Sequence, residues 1–251
     1  MQTSLRRPAL DSSAVPATSI LFSLSMRTLF FLLFGLLFVG LSAWAGAEHP
    51  LRAAEKWWPF QAILANVATF FALRFLLRRE GARFRDLFAV RRGRRNQDLK
   101  QFALLLVVGF LLGGIPLYVS SYLIFGSAVP PDLMFQPVPL WAAAIALVLF
   151  PITNGLVETP TYIGYALPRM AQASGKLWIG AWIAGLALAF QHVVLPLVAD
   201  PAYMMWRFVA FIPLAVALGF IYNRTKRLLP IAAAHAVMDL QLAVTWFAYS
   251  A

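Results

Sequence analysis

The chain has 251 residues, of which 61% are hydrophobic and only 12% charged, with a formal net charge of +11 at pH 7 and no cysteine. Soluble domains carry roughly 25% charged residues and about 45–50% apolar ones, so a soluble globular fold is excluded, and disorder needs the opposite balance. The composition is that of a polytopic membrane protein, and the lack of cysteine excludes disulfides, Cys-ligated metals and thiol catalysis.

In chain order, residues 1–27 read as a polar cytoplasmic tail carrying Arg6 and Arg7. Seven apolar segments follow, expected at about 28–46, 57–77, 101–125, 139–166, 177–198, 207–222 and 230–250. Each is near the ~20 residues that cross ~30 Å of hydrocarbon. They are continuous apolar runs, such as Leu104 to Val108 followed by Gly109, Gly113 and Gly114. Transmembrane strands would instead alternate over ~10 residues. The expected fold class is therefore all-α: a polytopic membrane protein with about seven transmembrane helices around a polar intramembrane cavity. Residues 28–125 form its N-terminal helices with a basic loop at 78–100, and 126–251 form a core that carries the site.

The charge pattern orients these spans. Loop 78–100 holds eight Arg and one Lys against Glu80, Asp86 and Asp98. Basic residues mark the cytoplasmic side. With seven spans, the N-terminal tail, the turn with Arg169 and Lys176, and the link with Arg224, Lys226 and Arg227 fall on that same side. The other side carries Arg52, Lys56 and Arg207. The reading is N-terminus in and C-terminus out, in a topology that suits a bacterial inner membrane. The basic loops explain the net charge, so membrane lipids are expected partners and nucleic acid is not.

Ionisable groups inside spans are costly and usually functional. Arg74 sits near a span end and can snorkel to the headgroups. That leaves Glu158, His192, His235 and Asp239, with no other buried charge expected as a partner. His235 and Asp239 are four apart and share one helix face. Glu158 and His192 come from consecutive antiparallel spans. Two carboxylates and two imidazoles can hold and activate a water molecule, with Glu158 as general base and the histidines as donors to an oxyanion. If a metal is used, His192 and His235 are its ligands, zinc being the expected ion; otherwise no cofactor is needed. Pro160 removes a hydrogen bond to the Leu156 carbonyl and is expected to bend the fourth span beside Glu158.

Three short motifs carry a resemblance. They are Glu158-Thr159-Pro160-Thr161-Tyr162-Ile163-Gly164-Tyr165, then Leu188-Ala189-Phe190-Gln191-His192, then His235-Ala236-Val237-Met238-Asp239. In order and spacing, over about residues 139–240, they resemble the CPBP (Abi) family of intramembrane proteases, which includes the type II CAAX prenyl endopeptidases. The family's first motif has a second Glu where this chain has Thr159 and an Arg where it has Ile163. Those positions are four apart on a helix, so the two changes read as joint removal of one ion pair. The resemblance implies an intramembrane endopeptidase that hydrolyses a peptide bond with a Glu-activated water. Glu158, His192, His235 and Asp239 would be its catalytic residues, and a peptide or protein at the membrane its substrate. The alternatives are a catalytically silent member acting as scaffold or immunity protein, and a proton-coupled transporter using Glu158 and Asp239.

Overall fold

The computed structural model describes residues 15–88 and 94–251. Arg6, Arg7, Arg91 and Arg92 lie outside the described residues. The long helices are α1 (Ala17–Trp44), α3 (Trp58–Arg79), α4 (Arg95–Phe125), α5 (Leu140–Thr159), α7 (Leu177–Phe190), α8 (Pro201–Thr225) and α9 (Leu228–Ser250). Short helices α2 (Pro50–Glu55) and α6 (Leu167–Ser174) join them, and no strand occurs among the described residues. Seven stretches are long and apolar enough to cross a membrane, as expected. The protein is an all-α, multi-pass integral membrane protein. Leu29, Leu33, Leu36, Leu104, Val107 and Leu111 are exposed on α1 and α4, where lipid rather than water is the solvent.

One boundary differs with consequence. The first helix begins at Ala17, not at 28, because the apolar residues Ile20, Leu21, Phe22, Leu24 and Met26 continue the run upstream. Arg27 is thereby carried into the helix, where it is completely buried. The fourth span runs on through α6 as Leu140–Ser174, 35 residues, about 52 Å if straight at 1.5 Å per residue. It outruns the hydrocarbon core, whereas the fifth, Leu177–Val194, has 18 residues and does not.

Helix α5 packs most closely on α9, and α7 on α8, while α4 lies against both α8 and α9. Helices α1, α3 and α5 make a second row. Small residues set the closest approach. A Cβ on Gly155 would lie 2.7 Å from the Ala232 carbonyl oxygen and 2.8 Å from Cβ of Ala236, so α5 and α9 meet without side-chain clearance. Gly155→Ala should therefore push the two helices apart and cost about 1–3 kcal/mol, read as earlier thermal unfolding in detergent. An unchanged melt would show that the contact is slack.

Two apolar clusters fill the interior. One holds Phe31, Trp58, Phe150, Val194, Leu195 and Trp246. The other holds Leu105, Tyr162, Ile163, Leu188, Ile231 and Ala234. Helix α5, the α7 segment and α9 each cross from one cluster to the other, and at every crossing their residues turn polar. Asn154 and Glu158 lie between Phe150 and Tyr162. Gln191 and His192 lie between Leu188 and Val194. His235 and Asp239 lie between Ala234 and Trp246. Arg27 enters the same layer from α1, one turn before Phe31.

On the side expected to be cytoplasmic, the acids of the basic loop work as staples. Glu80 takes a paired contact from Arg169, and Asp98 one from Arg227. Arg169 is thus not a turn residue. It is buried on α6, with Nη1 donating 2.9 Å to the Tyr165 carbonyl and its guanidinium 3.5 Å from the Tyr165 ring centre.

Candidate active site

The polar layer is one connected network. The Glu158 carboxylate is buried, and its Oε2 accepts from Arg27 Nη2 at 2.9 Å. The same Nη2 donates 2.9 Å to Asn154 Oδ1. Arg27 Nε donates 2.7 Å to Gln191 Oε1, and Nη1 donates to Asn66 Oδ1. Asn154 Nδ2 in turn donates 2.8 Å to Asp239 Oδ2. His235 closes the ring, its Nε2 lying 3.5 Å from Glu158 Oε1 and 3.4 Å from Asp239 Oδ2. The seven residues thus come from α1, α3, α5, the turn after α7 and α9, separated by long stretches of sequence.

The helix carrying Glu158 is not a regular α-helix throughout. Pro160 has no N–H to give, and residues Pro160–Ala166 wind as a π-helix, with Leu167 N–H bonded to the Tyr162 carbonyl five residues back. Thr161 Oγ1 donates 2.7 Å to the Val157 carbonyl. The expected bend at Pro160 is therefore a wider helical turn immediately after the carboxylate, and π turns recur at functional sites.

Both departures from the family motif have local partners. Thr159 Oγ1 lies 2.9 Å from His235 Nδ1. Two carboxylate oxygens face Nε2, so Nε2 carries the ring proton of neutral His235, and Thr159 donates to Nδ1. Ile163 is completely buried in the apolar cluster.

His192 is oriented by a different set. Its Nδ1 lies 3.0 Å from the Leu188 carbonyl, which can only accept, so Nδ1 holds the proton and Nε2 of the neutral ring is an acceptor. The imidazole stacks on Phe211 with ring centres 3.7 Å apart. Arg207 lies 4.8 Å from that same ring and donates 3.0 Å to the Leu195 carbonyl. Arg207, expected at the outer end of the sixth span, is instead buried in α8 under the turn that carries His192. The expectation that both histidines are oxyanion donors therefore changes: with its proton on the Leu188 side, neutral His192 presents an acceptor.

Glu158, His192, His235 and Asp239 all lie in this layer between the two apolar clusters. The expectation of no other buried charge does not hold. Arg27 is the counter-ion of Glu158, although its position in the sequence is that of the end of the tail. Asn66, Asn154 and Gln191 complete the network and carry no charge to mark them. The one available signal was the apolar run upstream of Arg27.

If a metal is used, His192 and His235 are its expected ligands and zinc the expected ion. Among the described residues no group of three or more His, Cys, Asp or Glu is placed to hold a metal ion. Arg27 also puts a fixed cation 2.9 Å from the Glu158 carboxylate, which would repel a second cation there. The donor set as arranged does not fit a zinc ion.

Residues 139–241 match the family model described as Type II CAAX prenyl endopeptidase Rce1-like. No curated protein and no solved structure matches the chain.

Proposed function

We propose that this chain, whose residues 139–241 match the Type II CAAX prenyl endopeptidase Rce1-like model, is an intramembrane endopeptidase that works with a Glu-activated water and without a metal. The observation that carries the reading is Glu158 Oε1. It is buried, has no hydrogen-bond partner, and faces His235, while Oε2 is held by Arg27. One oxygen is tied and the other is available as a base.

In the proposed reaction a water gives one proton to Glu158 Oε1 as its oxygen attacks the peptide carbonyl carbon. The carbonyl electron pair moves to oxygen, and His235 Nε2–H stabilises that oxyanion. Asp239 and Thr159 hold the His235 ring in the required tautomer. His192 Nε2 accepts the second hydrogen of the water and orients it. Glu158 then passes its proton to the amide nitrogen as the C–N bond breaks.

The substrate class is a peptide or protein at the membrane. We place the working unit in residues 126–251, with Arg27 and Asn66 contributed from α1 and α3. Orientation is N-terminus in, in a bacterial inner membrane. Arg78 and Arg79, Arg94 and Arg95, Lys176, and Arg224 with Arg227 cluster at the helix ends that this orientation puts in the cytoplasm.

The test is peptide cleavage by the purified, detergent-solubilised chain against a library of membrane peptides with and without prenyl groups. Cleavage is expected, and a chelator should leave its rate unchanged. Loss on chelation with recovery on added zinc would replace this mechanism by the metal version. A folded chain that cuts nothing in the library would favour the silent scaffold.

A further inference from the structure

Two buried atoms of the site lack a protein hydrogen-bond partner, and they are complementary. Glu158 Oε1 is an acceptor and Gln191 Nε2 is a donor. Gln191 is completely buried, so an unmet donor there costs free energy unless something polar occupies its direction. The amide faces the Glu158 carboxylate and interacts with it, but Nε2 and Oε1 do not meet at the distance and angle of a direct hydrogen bond.

The orientation of the amide follows from chemistry. Arg27 Nε can only donate, so the Gln191 atom 2.7 Å from it must be the oxygen. The guanidinium is itself held at Asn66, Asn154 and Glu158 and cannot swing aside. Gln191 Nε2 is therefore aimed away from Arg27 and into the site. A simple bridge between α1 and the turn after α7 would need only the amide oxygen, and the nitrogen would have no task.

We propose that Gln191 is a further catalytic residue, whose Nε2 holds the attacking water against Oε1 of Glu158, with Arg27 as the positioning residue that aims it. The inference rests on the hydrolytic reading above. It completes the water's four directions. One hydrogen goes to Glu158 Oε1 and the other to His192 Nε2. One lone pair accepts from Gln191 Nε2, and the remaining lone pair points at the substrate carbonyl carbon. No atom is left over, and the step needs no co-reactant beyond the water.

Two measurements test it. A crystal structure of the full wild-type chain grown in lipid should show a water within about 3.2 Å of both Gln191 Nε2 and Glu158 Oε1. A direct bond from Nε2 to a protein acceptor would overturn the proposal. In the second arm, peptides that the wild type cleaves are given to Gln191→Met and Gln191→Glu. The glutamate variant keeps an acceptor for Arg27 and replaces the donor by a carboxylate oxygen beside the same guanidinium, so it reports on the water even if Gln191→Met fails to fold. Both should lower kcat about 10- to 100-fold with KM unchanged, as for one lost hydrogen bond in the transition state. Wild-type kcat in Gln191→Glu would mean that only the bond to Arg27 matters, and the proposal would fall. A bound water in a wild type that cleaves nothing would sink the protease reading and leave the water site standing.

Discussion

In Glu158→Gln the purified chain should lose peptide cleavage, with kcat down about 10²- to 10⁴-fold, the range of a general base removed from its reaction. The glutamine is chosen because its amide oxygen can still accept from Arg27 Nη2, which an alanine could not. The variant does leave the buried Arg27 cation without its counter-charge. Activity must therefore be compared in samples of equal folded fraction, judged by helical content and elution in detergent. If a folded Glu158→Gln chain cleaves as wild type does, Glu158 is not the base. Asp239, 3.4 Å from the same His235 nitrogen, would then be the carboxylate to change next.

Arg27→Met is expected to be the most destabilising single change in the layer. It strands the Glu158 carboxylate among apolar clusters and leaves Asn66, Asn154 and Gln191 facing no donor. Breaking one partner of a buried ion pair costs about 3–5 kcal/mol, whereas removing both partners together is often close to neutral. The double variant Arg27→Met/Glu158→Gln should therefore recover most of the lost stability in mixed micelles and none of the cleavage. That pairing separates the two roles of Arg27. If Arg27→Met melts with wild type, the ion pair is not what holds α1 against α5.

The seven spans were legible because hydropathy acts on each stretch of chain separately. Glu158, His192, His235 and Asp239 were legible because an ionisable group deep in an apolar run stands out against its own neighbours. Arg27 fails that test. It lies near the start of the longest apolar stretch of α1, and with the span begun at 28 it reads as one more flanking basic residue. Its burial depends on contacts with Asn154, Glu158 and Gln191, more than a hundred residues away. Arg207 reads as a span end and Arg169 as a turn residue for the same reason. Each is a positive residue near a span end, and each turns inward because a carbonyl, an aromatic ring or Glu80 receives it there.

Thr159 and Ile163 show the other side of this. As letters they are two departures from a motif. Their four-residue spacing already suggests joint loss of a pair, but nothing local predicts that Thr159 would hold His235 Nδ1 or that Ile163 would complete an apolar cluster.

Hydropathy, charge bias along the loops and the expense of burying ions are properties of short stretches, and they were enough to read the class of protein, its number of crossings and its four ionisable residues. Which oxygen of Glu158 is tied, which nitrogen of His192 is protonated, and where Gln191 aims its amide depend on geometry between helices. Those facts arise only when α1, α3, α5, the α7 turn and α9 are packed together, because a hydrogen bond is directional and reaches about 3 Å, while the residues that make it are scattered along the whole chain.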